Sequence, residues 1–501
     1  MTRDFKREIY QLYDDFKQAR EINENNLFTI IKDNIDTPLG RKYGFEKINS
    51  IEDYRKAVPM STAQDYPDGN EYTYSVGYNL ATSGTLGNRK RFTVSNLAME
   101  KSAGYNYIMP FYLLDMTTEK GLNISVFQVL ERDMLLSSAL YDYLYKNNYF
   151  KLEDYYDCDF LFSDTIENIP YIKAYIALAH KDIRYFDSIF LYDMLIVFKY
   201  MIDNHEMLLD DIRNRRFSVN LSDNEKEKLL RQSFTEERLD EIEKIFSEES
   251  KGPLIKRLFP DLRFVSGVGG GKYKIYDSKL KELIGDDTQI FYYIFAQTEC
   301  TMGVPLKMNE ASYAMMPATC FCEYLDLETG AVYLPQETVI GREYEPIVTT
   351  FSGLYRYHTG DRVCVKEKVG QAPVVEIQGR INSIINIAGE KVDDADITLT
   401  MDKMKDVYDF TQFAVGIDST VYPNRYIIFA DVKNCDDDFA ERFDNLLKSL
   451  AFDYKDLRMR GAISMPVVKV LDVQRFYDIQ KGQVKPKVVL KDEQVQKWMM
   501  E

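Results

Sequence analysis

A run of small hydroxyl residues and glycines, "NLATSGTLGNRKRFTVS" (residues 79–95), could bind phosphate. Small residues let the backbone approach a polyphosphate, hydroxyl and N–H groups donate to its oxygens, and a lysine adds positive charge. The spacing is not that of a Walker A motif, and a hairpin turn between two strands explains these residues about as well. The candidate phosphate contacts are Thr82, Ser83, Gly84, Thr85, Gly87 and Lys90.

A second candidate is the acidic residue that ends the apolar segment "YYIFAQTE". Thr298 and Glu299 would sit at the end of a strand, where a carboxylate beside a hydroxyl could hold Mg²⁺ on phosphate oxygens. A solvated glutamate at a strand end is the competing interpretation. The glycines of "SGVGGGKY" would let a flat ligand lie against bare backbone, although a tight turn explains them nearly as well. They are Gly269, Gly270 and Gly271.

The segment "GLYRYHTGDRVCV" (residues 353–365) places a carboxylate after an apolar run. We expect a buried strand that ends in Thr359, Gly360 and Asp361, where the carboxylate could accept hydrogen bonds from a ribose diol. Arg380 follows nineteen residues later and could pair with phosphate. Near the C-terminus, "QKGQVKPKVVL" contains Lys485. Such a lysine is usually a solvated charge, but on a mobile domain it could stabilise charge that develops during acyl transfer.

The elements that must position these residues differ along the chain. Helical spacing of apolar residues predicts helices up to about residue 60 and a mostly helical region over 96–250, including a buried helix at "SIFLYDMLIVFKYMI". From about residue 262, short apolar runs between turn residues predict a mixed sheet and a distorted barrel. Beyond Gly379, alternating strand and helix patterns predict a small α+β domain. We therefore expect a mixed α/β fold with a large domain over 1–379 and a small mobile domain over 380–501.

Composition restricts the partners. The 501 residues carry a formal net charge of -17, with 63 basic and 80 acidic side chains. Without a basic stripe, binding to nucleic acid or to an anionic membrane is not expected. The six cysteines are too scattered for a disulfide framework or a zinc site and are expected to be buried free thiols. The N-terminus lacks the apolar core of a signal peptide, so we expect a cytoplasmic protein, by default a monomer.

Taken in order, these motifs resemble the adenylate-forming superfamily of acyl-CoA synthetases, adenylation domains and luciferase. Within it the chain is similar, almost from end to end, to the auxin-responsive Gretchen Hagen three family of acyl acid amido synthetases. "GLYRYHTGDRV" resembles that family's G-L-Y-R-Y-R-x-G-D, "GEKVDDADI" its E-K-x-x-E-x-D-L, and "FAQTECTMG" its A-S-S-E-x-x-x-G. Several independent motifs in the same order make chance resemblance improbable.

The resemblance implies a role for each candidate. The loop residues Thr82 to Gly87 would wrap the ATP phosphates with Lys90 nearby. Gly269 to Gly271 and Thr298 would border the adenine and α-phosphate, and Glu299 would hold Mg²⁺. Asp361 would bind the ribose, and Arg380 would approach the nucleotide. Lys485, matching the lysine of a Q-Y-K-x-P-R segment, would stabilise the adenylation transition state.

Four positions depart from the family pattern. Leu86 replaces a hydroxyl residue in the loop, His358 stands where Arg is usual, and Val484 replaces an aromatic residue. Asn382 replaces the aspartate that is common at the superfamily's hinge. The acyl pocket, expected from about residues 100–200 and near Met302, cannot be matched to the family.

The implied function is ATP-dependent activation of a carboxylic acid, followed by transfer of the acyl group to an amine, most plausibly an amino acid. An acyl-CoA ligase that forms a thioester is one alternative. A nucleotide-binding protein with weakened catalysis is the other, because Leu86 and Asn382 break the pattern.

Overall fold

A computed structural model of the protein describes most of the 501 residues. The described residues are 4–62, 65–66, 77–81, 91–116, 120–124, 135–162, 168–248, 252–270, 274–381, 384–385, 387–388, 390, 392–459, 461–480 and 488–500. They divide into two compact units. The first comprises Met1–Val268, Leu280–Thr359 and Cys364–Glu376, and the second comprises Gly269–Lys279, Gly360–Val363 and Ile377–Glu501. The domain boundary expected between residues 379 and 380 stays a prediction.

The chain opens with four helices, as the apolar spacing predicts. Ile9, Leu12 and Phe16 lie on one face of the first helix and are buried, while the Asp4 side chain caps its N-terminus by accepting from the Arg7 amide. The third helix begins with Pro38 after the Thr37 cap and ends at Gly44 in the left-handed conformation. These helices are α1 (Phe5–Lys17), α2 (Ala19–Asp33), α3 (Pro38–Tyr43) and α4 (Ile51–Ala57).

Two strands flank the hydroxyl- and glycine-rich loop. They are β1 (Gly77–Ala81) and β2 (Arg91–Ser95). They pair antiparallel, with Ala81 opposite Arg91 and Gly77 opposite Ser95. The segment between them, residues 82–90, lies outside the described residues.

A four-stranded parallel sheet with helices follows. Its elements in chain order are α5 (Asn96–Leu113), β3 (Gly121–Asn123), α6 (Leu136–Lys146), α7 (Ile169–Ala179), β4 (Tyr185–Phe190), α8 (Leu191–Asp203), α9 (His205–Asn214), α10 (Asp223–Leu230), α11 (Glu236–Ser247), α12 (Leu254–Leu258), β5 (Phe264–Val268), α13 (Lys274–Ile284) and β6 (Gln289–Tyr292). The strand order is β3-β4-β5-β6, and every neighbouring pair is parallel. The region from 96 to 250 is therefore mostly helical, as expected, but it also supplies two strands.

The prediction of one helix over "SIFLYDMLIVFKYMI" is wrong in its first part. Ser188, Ile189 and Phe190 end strand β4, and helix α8 begins at Leu191. A strand of a parallel sheet and a core helix are both buried on all sides, so both have continuous apolar sequences. The periodicity of apolar residues therefore does not distinguish the two.

A second large sheet confirms the short strands expected after residue 262. Its strands are β7 (Phe295–Ala296), β8 (Thr301–Val304), β9 (Ser312–Met315), β10 (Cys320–Asp326), β11 (Val332–Tyr333), β12 (Glu343–Thr350), β13 (Tyr357–His358), β14 (Asp361–Val369) and β15 (Ala372–Arg380). Their order is β11-β10-β12-β14-β15-β9-β8-β7, with β13 paired to β12.

The C-terminal part has the predicted α+β composition. Its elements are β16 (Ile384–Ile385), β17 (Val392–Asp393), α14 (Asp394–Met404), β18 (Phe413–Asp418), β19 (Arg425–Ala430), α15 (Phe439–Leu450), α16 (Phe452–Met459), β20 (Ser464–Val470), α17 (Val473–Gln480) and α18 (Asp492–Met500). Strands β18, β19 and β20 form one sheet. The chain's only tryptophan, Trp498, is 2% exposed and packs edge-on against Phe429 and Phe476 in the core of this unit.

The expectation of buried free thiols is met in part. Cys300, Cys320 and Cys322 are buried, the other three cysteines are partly buried, and all six are free thiols. Among the described helices, none combines the length and the apolar character needed to cross a bilayer.

Candidate active site

The hairpin that carries the predicted phosphate loop is anchored at its base. The Ser95 amide, at the end of β2, donates to Ser352 Oγ at 2.9 Å, and the Ser95 hydroxyl caps helix α5 by accepting from the Ala98 amide at 3.2 Å. The antiparallel pairing of β1 with β2 confirms that strands flank the loop. The phosphate-binding roles of its six candidate residues stay predictions, because Thr82, Ser83, Gly84, Thr85, Gly87 and Lys90 lie outside the described residues.

Thr298 and Glu299 lie in a tight turn that follows strand β7, as the apolar run predicts. The Gln297 amide donates to the Cys300 carbonyl at 2.8 Å, and the Cys300 amide donates back at 3.2 Å, which closes the turn. The Gln297 side chain donates to the Thr359 carbonyl at 3.2 Å. Thr298 and Glu299 remain partly exposed, so both can reach a ligand.

Strand β13 holds two polar side chains near this turn. Tyr357 donates its hydroxyl to Glu299 Oε1 at 3.1 Å and is 3% exposed. The next residue, His358, pairs through Nδ1 with Glu345 Oε2 at 2.9 Å. That hydrogen bond raises the pKa of His358 above its ordinary value. His358, the departure from the family's arginine, therefore keeps a cationic partner for Glu345 when it is protonated.

The glycine loop and Asp361 belong to the second unit. Gly270 has a φ of 69°, the left-handed region that favours glycine, and its amide donates to Asp277 Oδ2 at 2.8 Å. Gly269 is buried before it, and Gly271 lies outside the described residues. The roles of these glycines toward a nucleotide stay predictions.

The expected strand ending in Thr359, Gly360 and Asp361 is wrong. Strand β13 stops at His358, Gly360 has a φ of 71°, and Asp361 begins the next strand, β14. The left-handed glycine interrupts the extended chain, which the sequence pattern alone does not show. Asp361 is 6% exposed, and the neighbouring Gly360 carbonyl accepts from the Ile381 amide at 2.9 Å.

Of the three remaining candidates, the structure describes only the backbone of one. Arg380 is the last residue of β15, but its side chain lies outside the described part of the structure. Asn382 and Lys485 lie outside the described residues entirely. Their expected roles as nucleotide contact, hinge and catalytic cation therefore stay predictions.

The donor set suits a magnesium ion that is shared with substrate. Among the described residues no group of three or more His, Cys, Asp or Glu side chains could hold a metal. Mg²⁺ is usually bound through one or two carboxylates together with substrate phosphates and water. A single carboxylate, Glu299, beside the Thr298 hydroxyl fits that mode and does not fit a site made wholly of protein ligands.

A small cavity opens against the same turn. It has a volume of about 10 Å³, room for one water-sized group. We call it the turn cavity. It is lined by Val94, Ala98, Met99, Leu136, Gln297, Thr298, Cys300, Thr301, Thr319 and Thr350. Gln297, Ser95 and Tyr357 were missed as site residues by the sequence analysis, although Tyr357 stands inside the family-like segment "GLYRYHTGD".

Family models match most of the chain. The model described as the GH3 family N-terminal domain matches residues 8–72 and 73–290. The GH3 family central domain matches residues 313–380, and the GH3 family C-terminal domain matches residues 393–494.

Curated relatives carry related names. The chain is 28% identical to the 4-substituted benzoates-glutamate ligase GH3.12 of Arabidopsis thaliana over 211 residues, which cover 39% of this chain and 36% of that relative. It is 28% identical to the indole-3-acetic acid-amido synthetase GH3.15 of the same plant over 264 residues, 48% of this chain and 44% of the relative. In both matches the chain spans less than half of the relative's length. The match to the indole-3-acetic acid-amido synthetase GH3.6 of Arabidopsis thaliana is longer, with 22% identity over 484 residues, 85% of this chain and 78% of the relative.

Solved structures share the fold. The GH3.15 acyl acid amido synthetase superimposes with a TM-score of 0.80 at 20% identity, over 97% of this chain and 94% of that one. The AtGH3.15 acyl acid amido synthetase in complex with 2,4-DB gives a TM-score of 0.82 at 20% identity, over 98% and 95% of the two chains. A 2-hydroxyisobutyryl-CoA ligase in the postadenylation state gives a TM-score of 0.58 at 10% identity, over 96% and 91%. The chain therefore has the fold of these enzymes, and the predicted mixed α/β class is confirmed.

Proposed function

Because the chain belongs to the GH3 family, we propose that it is an ATP-dependent acyl acid amido synthetase that joins a carboxylic acid to the amino group of an amino acid. The names of its relatives support this proposal. The structural observation that carries it is the turn after β7, which presents Thr298 and Glu299 and fixes Glu299 through the Tyr357 hydroxyl.

The first half-reaction forms an acyl adenylate. A carboxylate oxygen of the acid attacks the α-phosphorus of ATP, the bond from that phosphorus to the bridging oxygen breaks, and pyrophosphate leaves with the electron pair. Negative charge grows on the phosphate oxygens in the transition state. In our proposal Lys485, Lys90 and the hydroxyl and amide groups of the 82–87 loop stabilise that charge.

Glu299 and Thr298 would hold Mg²⁺, which would neutralise phosphate charge when it is bound. The hydrogen bond from Tyr357 would restrict the orientation of the Glu299 carboxylate. Asp361 would accept hydrogen bonds from the ribose, and Gly269 to Gly271 with Arg380 would border the rest of the nucleotide.

The second half-reaction forms the amide. The amine nitrogen attacks the acyl carbon of the adenylate, the bond from that carbon to the phosphate oxygen breaks, AMP leaves, and the nitrogen loses a proton. We propose that the domain over residues 380–501 moves about Asn382 between the two steps. Binding both partners in a site without water orients them and protects the adenylate from hydrolysis.

Two other functions are separated from this one by experiment. An acyl-CoA ligase would form a thioester and would need coenzyme A for turnover. A nucleotide-binding protein with weakened catalysis would give no acid-dependent pyrophosphate release. We propose that the protein is a cytoplasmic monomer. Its net charge of -17 supports the proposal that it has no nucleic-acid or membrane partner.

A matrix of carboxylic acids and amino acids tests the function. Each pair is incubated with ATP and Mg²⁺ in the absence of coenzyme A, pyrophosphate release is measured, and the product mass is determined. Continuous release over many turnovers that needs both an acid and an amine, with an amide as product, is the expected result. Release that needs coenzyme A, or no release with any pair, would contradict the proposal.

A further inference from the structure

A row of polar side chains crosses the parallel sheet of the first unit. Asp187 on β4 pairs in register with Asn123 on β3 and with Ser266 on β5. Asn123 is fully buried, and Asp187 and Ser266 are each 4% exposed. Strands of a parallel sheet are usually apolar because both faces are covered. A polar row at one register therefore needs a reason beyond packing.

Phenol groups surround the carboxylate in this row. Asp187 accepts hydrogen bonds from the hydroxyls of Tyr141 and Tyr293, and from Tyr155 at 3.2 Å. The Tyr141 and Tyr293 hydroxyls also lie 2.8 Å apart. A carboxylate has room for about four hydrogen bonds, so one acceptor position of Asp187 is left by these three phenols.

Asp187 has no cationic partner, in contrast to a second buried aspartate nearby. Asp157 forms a buried ion pair with Lys173 and accepts a hydrogen bond from the backbone N–H of Asn123 at 3.0 Å. Within the described part of the chain no lysine, arginine or histidine nitrogen lies within 4.0 Å of the Asp187 carboxylate. A buried charge without a partner is costly. Burial accordingly raises the pKa of Asp187 to about 7, although the tyrosine hydrogen bonds lower it.

A second small cavity lies against this carboxylate. Its polar lining consists of Asn106, Tyr107, Tyr141, Tyr185, Asp187, Ser266 and Tyr293. We call it the phenol cavity, and its volume of about 10 Å³ suits one water-sized group. The hydroxyls of Tyr107 and Tyr185 are buried and have no hydrogen-bond partner, and these residues are 6% and 2% exposed. Two tyrosines whose hydroxyls lack a hydrogen-bond partner therefore line the same cavity as the Asp187 carboxylate, which lacks a cationic partner.

Residues of the same three segments line the phenol cavity and the turn cavity. Helix α5 contributes Met99 to the turn cavity and Asn106 to the phenol cavity, about 10 Å apart at 1.5 Å per residue. Helix α6 likewise contributes Leu136 and Tyr141, and the segment after β6 contributes Tyr293 and Thr298. In our proposal an elongated acid lies along these elements, with its carboxylate beside Thr298 and its other end at Asp187.

We infer that the acid substrate carries a protonated amino group roughly 10 Å from its carboxylate, and that this group binds Asp187 in the phenol cavity. The inference rests on the proposed function. An ammonium group has the size of a water molecule and three N–H donors. It would supply the missing cation and donate to Asp187 and to the Tyr107 and Tyr185 oxygens. The aromatic rings around it attract a cation through their faces.

Matched linear acids test this class on the wild-type enzyme. Acid-dependent exchange of pyrophosphate into ATP is measured with 8-aminooctanoate, 8-hydroxyoctanoate and octanoate, and with the corresponding hexanoate and decanoate sets. Sites that hydrogen-bond a substrate group strongly reject analogues that lack it. We expect kcat/KM for the best amino acid of the series to exceed that of its unsubstituted partner by about 100-fold or more.

Equal or better exchange with octanoate than with 8-aminooctanoate would overturn the inference while leaving the proposed function intact. Equal exchange with 8-hydroxyoctanoate would also overturn it, because a neutral donor would then suffice. Absence of exchange with every acid, in these sets and in the broad matrix of acids, would contradict the proposed function instead. Binding then decides the inference separately: 8-aminooctanoate, and not octanoate, is expected to raise the thermal unfolding midpoint, and equal shifts would overturn it.

The variant Asp187→Asn keeps the shape and the acceptor oxygen but removes the charge. It is expected to abolish the preference for 8-aminooctanoate over octanoate. The matched control is Asp211→Asn. It changes a second buried aspartate, which accepts a hydrogen bond from the Tyr171 hydroxyl at 2.8 Å but lines neither cavity. The control is expected to keep the preference. A preference that survives in Asp187→Asn would overturn the assignment, and the wild-type comparison stands whether or not this variant folds.

Discussion

The Tyr357 hydroxyl donates to Glu299 Oε1 at 3.1 Å and thereby fixes the one acidic side chain in the turn after β7. Residues that orient a metal-binding carboxylate typically contribute 10- to 100-fold to metal affinity or activity. The two residues are 58 positions apart in the sequence. Their contact therefore links the Thr-Glu segment and the Gly-Leu-Tyr-Arg-Tyr segment, which sequence analysis treats as separate motifs.

The variant Tyr357→Phe removes this hydrogen bond and keeps the ring. We expect the rate of acid-dependent pyrophosphate exchange to fall about 10-fold and the Mg²⁺ concentration for half-maximal rate to rise. A Mg²⁺ titration of the exchange reaction measures both. Tyr324→Phe is the matched control, because the buried Tyr324 hydroxyl has no hydrogen-bond partner. An unchanged Mg²⁺ dependence in Tyr357→Phe would show that the contact does not serve the metal.

Lys485 lies outside the described residues, and its role is tested by substitution. In Lys485→Ala we expect pyrophosphate exchange to fall by about 10²- to 10³-fold, the usual cost of removing one group that stabilises transition-state charge. ATP binding, measured by calorimetry, should be retained. Lys487→Ala is the control for a nearby lysine. Exchange near the wild-type rate in Lys485→Ala, with loss in Lys487→Ala, would assign the catalytic cation to Lys487.

The pair of His358 with Glu345 makes a small part of the stability depend on pH. Since the hydrogen bond raises the pKa of His358, its contribution is fully present below the unfolded value of 6.5 and is lost as the pH rises through the folded value. The family-like variant His358→Arg stays charged. When the pH is raised from about 6 to about 9, we expect the free energy of unfolding of His358→Arg to rise relative to that of wild type by on the order of 0.5 to 1 kcal/mol. Urea unfolding at both pH values measures this, and a pH-independent difference would refute it.

Asp187 should make a larger part of the stability depend on pH than His358 does. Burial raises its pKa from 3.8 to about 7, so its contribution is fully present below pH 3.8 and is lost as the pH rises through about 7. A shift of about three pKa units corresponds to about 4 kcal/mol in total. The phenols of Tyr141, Tyr155 and Tyr293 and the Asp157 carboxylate face it, and the effects of Tyr141, Tyr155 and Asp157 are included in that shift.

The test compares the free energy of unfolding of wild type and Asp187→Asn between about pH 4.5 and about pH 8. Wild type should lose stability relative to the variant as the pH rises, because asparagine does not titrate. A constant difference across this range would mean that Asp187 is ionised in the folded protein at every pH tested.

The features that the sequence predicts are those written locally. Helices α1 and α4 follow from apolar spacing and capping residues, and the Thr298–Glu299 turn follows from an apolar run that stops at polar residues. Strand β3 was missed because it has only three residues, and β4 was missed because it continues directly into helix α8. A buried apolar run of that kind has no period that separates strand from helix.

The contacts that the sequence does not predict depend on register between distant segments. Asn123, Asp187 and Ser266 form a row only because β3, β4 and β5 pair in one register, and these strands are separated by more than fifty residues. The start of β14 at Asp361 depends on the left-handed Gly360, a backbone choice that a glycine permits but does not require.

Acid-dependent exchange of labelled pyrophosphate into ATP tests the central proposal most directly, because it reports reversible formation of the acyl adenylate and needs neither amine nor coenzyme A. With a suitable acid, Mg²⁺ and the wild-type chain, we predict exchange that depends on the acid and disappears in Glu299→Gln. Exchange that is absent with every acid in a broad panel, while ATP still binds, would contradict the assignment of this protein as an adenylate-forming enzyme.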